Sequence, residues 1–354
     1  MSSHDPLISV VMPVYNSDEY LAEAIDSILN QTFRDFEFII VCDDPSLKTR
    51  EIIDNYQKND TRIIVFYQKK EGLVESLNKG CSVAKGKYIA RMDADDISLP
   101  KRLEKQVAFM DANPEIGVCG TWLETIGHNK EVWTLPTIHE DIVARMLFET
   151  HNLHHPTVII RKDIILTLQE FYNEDFKHAE DAEYWMRLVN LGVKFANIGE
   201  IFLKYRVHEN NISNIHHEMQ KKNADRILSM QLLHLGIEST KEKYLIFNIL
   251  KYGTPSDVNC LEKVSKYIEI LLKVNQTTNF FSEPSLSREL ARRWFILCNS
   301  STRNGLSIWY KYHEKFISGY ITLSYKQKGK FLLKCILRIN RLQDLLNIVG
   351  RNNV

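Results

Sequence analysis

The first hundred residues alternate between short apolar runs and amphipathic stretches, at the spacing of strand–helix–strand units. Residues 7–15 read as a buried strand that Pro13 brings to an end. Residues 18–30 carry Tyr20, Leu21, Ala24, Ile25, Ile28 and Leu29 at helical spacing. Residues 36–41 form a second apolar run, closed by Cys42-Asp43-Asp44. A helical stretch at 48–59, a strand at 62–67 and a helix at 73–84 follow. Gly86 stands just beyond that helix, and residues 87–92 form a fourth strand. This alternation argues for an α/β layer built on a largely parallel sheet.

Further along, 100–113 reads as a helix, 117–122 and 158–161 as strands, and 181–191 as an amphipathic helix ended by Gly192. Residues 195–206 fit one strand, or two joined by a turn. From about Glu218 long helical patterns dominate, at 219–235, 241–250, 258–272 and 287–297. The change of character near 212–222 divides the chain into an α/β domain, 1–217, and a mainly helical region, 218–354.

Composition narrows the function classes. Lys plus Arg and Asp plus Glu number 45 each, so no global charge draws the chain to nucleic acid. The six cysteines are scattered without CxxC pairing and read as free thiols of a reducing compartment. No basic n-region leads into an apolar stretch at the N-terminus, and no apolar run approaches the length of a membrane span. The expected location is cytoplasmic.

Chemistry gathers at strand ends. Acidic or polar turns follow Val14, Val41 and Met92, and open α/β sheets bind ligands outside the carboxyl ends of their strands. The run Tyr88-Ile89-Ala90-Arg91-Met92-Asp93-Ala94-Asp95-Asp96 ends an apolar strand in three carboxylates. Such a turn suits a hard cation, Mn²⁺ or Mg²⁺, shared with a substrate phosphate. The alternative is a solvated turn or a helix N-cap. Neither the GxGxxG fingerprint nor a P-loop is present.

Pro13-Val14-Tyr15-Asn16, Asp43-Asp44-Pro45-Ser46, Asp93-Ala94-Asp95-Asp96 and Glu180-Asp181 occur in that order. Between and after them come Ser27-Ile28-Leu29-Asn30-Gln31-Thr32-Phe33, Asn78-Lys79-Gly80, Ala84-Lys85-Gly86-Lys87-Tyr88, His155-Pro156-Thr157 and Tyr205-Arg206-Val207-His208. Over roughly residues 6–212 the ordered set resembles the inverting glycosyltransferases of family 2, among them those of bacterial cell-surface polysaccharides. The resemblance implies a GT-A fold, a Rossmann-like mixed sheet flanked by helices, followed here by the helical C-terminal region. Pro45 departs from the family's usual glycine or asparagine. It fixes φ and removes an N–H from that turn.

By this resemblance the chain transfers a sugar from a nucleotide donor, a UDP-sugar, to a hydroxyl of a cell-surface glycan or lipid-linked oligosaccharide. Asp44 would read the base, since an acceptor-only carboxylate suits the imide N–H of uracil; an Asx-turn is its other reading. Pro13, Val14 and Tyr15 would line base and ribose. Asp93 would face the ribose and the metal, and Asp95 would be the main ligand of Mn²⁺ or Mg²⁺. Asp96 would support them or cap a helix. Asp181 would be the general base, oriented by Glu180; both acids could instead complement a helix dipole. His208, or Arg206, would complete the metal or diphosphate site.

Rival readings are a sugar-nucleotide pyrophosphorylase, a phosphatase built on Asp93-Ala94-Asp95, and a catalytically degenerate GT-A scaffold or binding subunit. The first needs a Gly-rich, Arg-bearing loop where this chain has Pro13-Val14-Tyr15-Asn16. His151, His154 and His155 lack an HExxH frame for zinc, and His155 reads as a loop residue near the acceptor. Trp122, Trp133 and Trp185 could stack on a sugar, with core packing the expected fate of Trp185. Residues 315–341 hold seven Lys or Arg and no Asp or Glu. Within them 326–341 could lie peripherally on the inner face of an anionic membrane or dock on the helical region. The helical region could also hold an oligomer together.

Overall fold

A computed structural model describes residues 5–15, 17–166, 171–208, 216–238, 240–314 and 316–340. The chain forms two compact units. Unit 1 comprises residues 1–142 and 150–227, and unit 2 comprises 143–149 and 228–354.

Unit 1 is a mixed sheet with helices. Its strands are β1 (Ile8–Val14), β2 (Phe36–Asp43), β3 (Ile63–Gln68), β4 (Tyr88–Arg91), β5 (Ile97–Ser98), β6 (Ile116–Gly127), β7 (Val132–Trp133), β8 (Ile159–Arg161) and β9 (Lys194–Val207). They are ordered β3-β2-β1-β4-β8-β6-β9-β5, with β7 on β6. The first four are parallel, as the alternation predicts. Beyond β4 the sheet turns mixed, because β8 runs antiparallel to both β4 and β6. Residues 194–207 are one strand, joined to β6 through register shifts.

Every residue of β1 and β2 is buried, as befits strands covered on both faces. Pro13 does not end β1. It lies past Val11, the last residue paired with β4, so its missing N–H costs no ladder bond on that side. The helices are α1 (Leu21–Leu29), α2 (Leu47–Asn59), α3 (Leu73–Val83), α4 (Arg102–Ala112), α5 (His139–Met146), α6 (Lys162–Leu166) and α7 (Glu180–Asn190). Gly86 earns its place by close approach. A Cβ there would lie 2.5 Å from the backbone nitrogen of Ser9, whose hydroxyl accepts the Gly86 N–H at 2.8 Å.

The order β2-β1-β4 brings three carboxyl strand ends side by side, carrying Asp43-Asp44, Tyr15 and Asp93-Ala94-Asp95-Asp96.

Helix α8 (His217–His234) runs through the division at 227, and residues 212–215 of the expected junction lie outside the described residues. Unit 2 continues with α9 (Lys241–Tyr252), α10 (Val258–Thr278), α11 (Glu283–Ser300), α12 (Leu306–His313) and α13 (Tyr325–Leu337). α9 packs on α10 and α11, and α12 on α13. Phe247 stacks on Phe148, from the segment 143–149. In the basic stretch 326–341 the helix ends at Leu337, where Arg338 takes a left-handed cap (φ 54°); Arg341 lies outside the described residues. No helix of the described residues is long and apolar enough to cross a membrane.

Candidate functional site

At the β1 and β2 ends the two aspartates of Asp43-Asp44 have separate tasks. Asp43 is buried and accepts from the N–H groups of Glu71 and Gly72 at 2.8 and 2.9 Å and from Gln68 Nε2 at 3.2 Å. It thereby fixes the β3–α3 turn. Asp44 is exposed, with left-handed backbone (φ 51°) and its N–H on the Gln68 carbonyl at 3.1 Å. Aspartate tolerates this left-handed geometry better than most residues. Pro13 and the Val14 side chain are buried. What they offer outward is backbone. Tyr15 is 45% exposed and stands under the ammonium of Lys70, 5.2 Å from its ring centre.

At the β4 end, Asp93, Asp95 and Asp96 place a carboxylate oxygen each within 4.8 Å of one another. Asp93 is paired with Arg91. Asp95 Oδ2 meets His208 Nε2 at 3.0 Å. Asp96 does not cap a helix: it precedes β5, and Lys101 is the N-cap of α4. Its Oδ1 instead accepts the Arg206 N–H at 2.9 Å, which ties the turn to β9, and its buried Oδ2 has no partner among the described residues. Burial, then the charges of Asp93 and Asp95, push the Asp96 carboxyl well up. Burial also raises Asp93, against the pull of Arg91.

Arg206 clamps this turn from the other side. Its Nε donates to the Asp95 carbonyl at 2.8 Å, its guanidinium pairs with Glu23 at 2.5 Å, and it lies over the Tyr20 ring at 4.2 Å. Tyr20 in turn faces the His208 ring at 5.7 Å.

Glu180 and Asp181 open α7, where a helix N-terminus favours negative charge. Glu180 is 5% exposed and its Oε2 has no partner among the described residues. Burial, with Asp181 adding to it, raises Glu180 to about 7. Asp181 is half-buried, accepts the Ala182 N–H at 2.8 Å, and is likewise raised, chiefly by burial. Asp181 is close enough to Asp93 for its charge to act there.

Arg91 was read in the sequence only as part of an apolar strand, yet it is the cation that acts on Asp93, Asp96, Glu180 and Asp181 together. A charge inside a buried strand directly before the acids was the available signal. His155 is not a loop residue: it is buried in the 3₁₀ turn His155–Thr157, with Nε2 2.9 Å from the Tyr172 hydroxyl. Burial and Arg91 hold its imidazole well below the usual range, hence neutral. Asn78 grips the Tyr172 backbone through two bonds of 2.9 Å. Trp185 is core, as expected, and Trp122 Nε1 donates to the Leu135 carbonyl. Trp133 stays partly exposed against Tyr205 and His154.

The profile of the family described as "Glycosyl transferase family 2" matches residues 9–168. An uncharacterised glycosyltransferase of Haemophilus influenzae is 35% identical over 249 residues, 66% of this chain and 76% of the relative. The O-antigen biosynthesis glycosyltransferase WbnJ of Escherichia coli is 35% identical, over 57% of this chain and 80% of its own length. Among solved structures, residues 1–349 of Staphylococcus aureus TarS with UDP-GlcNAc align at a TM-score of 0.53 and 17% identity, covering 88% of this chain and 89% of that one. That likeness is one of fold, the GT-A arrangement with a helical C-terminal region. With a close-packed acid site at the strand ends and relatives matched over most of their length, the chain belongs to glycosyltransferase family 2.

Proposed function

We propose that the chain transfers a sugar from a UDP-sugar to a hydroxyl of a cell-surface glycan or lipid-linked oligosaccharide, with inversion at the anomeric carbon. The acceptor oxygen bonds to that carbon as the bond from carbon to the diphosphate oxygen breaks. UDP leaves with the electron pair, and Asp181 takes the hydroxyl proton. Glu180 orients Asp181. Asp44 accepts the imide N–H of uracil, and Tyr15 with the Pro13–Val14 backbone lines the base. The O-antigen role in the name of the E. coli relative supports the choice of acceptor class.

The observation that carries this reading is the cluster of Asp93, Asp95 and Asp96, one of whose buried oxygens has no partner among the described residues. Three carboxylates and the imidazole of His208 form a donor set that fits Mn²⁺ or Mg²⁺. Asp95, with Asp96 and His208, would hold the ion, while Arg91 engages Asp93. Such a cation supplies a Lewis acid for charge developing on the departing diphosphate. The raised Asp181 carboxyl is a stronger base than an exposed aspartate, and its help is worth roughly 10²–10⁴ in rate.

The test is Asp181→Asn, assayed for UDP binding and for transfer. Retained binding with transfer reduced by roughly 10²–10⁴ is expected. Near-wild-type turnover removes Asp181 from the role.

A further inference from the structure

Helix α13 buries one face and leaves the other bare. Phe331 packs against the rings of Phe295, Trp309 and Tyr312. Cys335 is buried, and Lys334 Nζ is held by the backbone and side-chain oxygens of Asn299 at 2.7 and 2.9 Å. Helical geometry puts Lys326, Lys330, Leu333, Ile336 and Leu337 on the opposite arc. All are exposed, Leu333 at 43%, Ile336 at 55% and Leu337 at 38%. Leu306, also exposed, follows Gly305, whose Cα lies beside the Arg338 side chain. Among the described residues of this segment the exposed charges are Lys326, Lys328, Lys330 and Arg338, all of one sign. Glu314, the acid just before this segment in sequence, is paired with Lys311 at 3.6 Å.

We propose that this face of α13 docks on an anionic bilayer surface. The helix lies flat, with Leu333, Ile336 and Leu337 at the acyl boundary and Lys326, Lys330 and Arg338 among the headgroups. The cations stand at both ends of the apolar patch. Their long stems reach from that patch to headgroup phosphates. Charge also decides between occupants. A second copy related by a two-fold axis would repeat the same patch on both sides and bring like-charged lysines together. A purely electrostatic partner would leave the three aliphatic side chains without a role. The proposal concerns unit 2 alone and does not depend on the sugar transferred.

The experiment is co-sedimentation of the full chain with two kinds of vesicle. One is phosphatidylcholine alone and the other is an equal mixture of phosphatidylcholine and phosphatidylglycerol. Binding to the mixed vesicles only, weakening as salt is raised, is expected. Lys326→Gln with Lys330→Gln should weaken it about twenty-fivefold, at about fivefold per lysine. Leu333→Ser with Ile336→Ser should weaken it about tenfold or more. Both pairs are solvent-facing, so melting temperatures should not move. The proposal is overturned by no binding to the mixed vesicles, by equal binding to neutral ones, or by binding that neither pair of substitutions weakens. A concentration-dependent dimer abolished by Leu333→Ser with Ile336→Ser, without vesicle binding, assigns the face to a second copy and overturns it too.

Discussion

Both units of this chain bury carboxylates and arginines, and they balance them in opposite ways. In unit 2, Glu149 faces Arg145, Arg292 and Arg293, and Glu289 faces Arg292 and Arg293. Burial pushes Glu149 up, but Arg293 and Arg145 overcome it and hold the carboxyl at about 2. In unit 1, Asp93, Asp95, Asp96, Glu180 and Asp181 outnumber the buried guanidiniums of Arg91 and Arg102. There burial wins, and Asp93, Asp96, Glu180 and Asp181 are all raised. Carboxylates that each meet two or more guanidiniums are held charged and serve the fold. An excess of one sign, kept at a cost to stability, is what a site for a bound cation and a proton acceptor requires.

The contrast can be broken in several places. The largest effect is expected from Asp95→Asn, which removes the proposed ion ligand. Turnover should fall roughly 10²–10³-fold, the loss typical of one well-placed electrostatic stabiliser, measured as UDP release at saturating donor. Next come two glutamates of opposite sign. Glu149→Gln should destabilise the protein by about 3 kcal/mol at neutral pH, read by urea denaturation. The Glu149 contribution is present above its unfolded value near 4.5 and is lost as pH falls toward about 2, so the difference should shrink along that window. Glu180→Gln should stabilise by about 3 kcal/mol above pH 8. Its raised carboxyl contributes stability below about 4.5 that is lost as pH rises through about 7, so this gain should vanish in acid. Stabilisation by Glu149→Gln, or loss by Glu180→Gln at high pH, would reverse the comparison. The smallest effect is a control. Thr240 caps α9 through the Lys243 N–H, and Thr240→Ala should cost about 1 kcal/mol or less, equally at pH 5 and pH 8.

The parallel half of unit 1 was readable because covered strands are continuous apolar runs and their helices carry one apolar face. β5 and β7, of two residues each, leave no periodicity to read. The antiparallel entry of β8 between β4 and β6 depends on contacts remote in sequence. Asp96 shows the limit of local rules: three acids before a helix suggest a cap, but its oxygen goes to Arg206, 110 residues away. Arg91 was hidden by its strand. Its role exists only once α7 is folded beside it. The basic stretch of α13 was legible in composition, whereas which of its faces is covered came from packing by Phe331 and Cys335.

The most direct test of the acid site is a thermal-shift panel of UDP, GDP, CDP and dTDP, each with and without Mn²⁺, on the wild-type chain and on Asp95→Asn. UDP with Mn²⁺ is predicted to stabilise the wild type, by about 2.7 kcal/mol at a hundredfold excess over Kd. UDP without Mn²⁺, the other nucleotides, and Asp95→Asn under any condition should show little. A UDP shift that ignores Mn²⁺ and survives Asp95→Asn would contradict the account, as would no shift with any nucleotide.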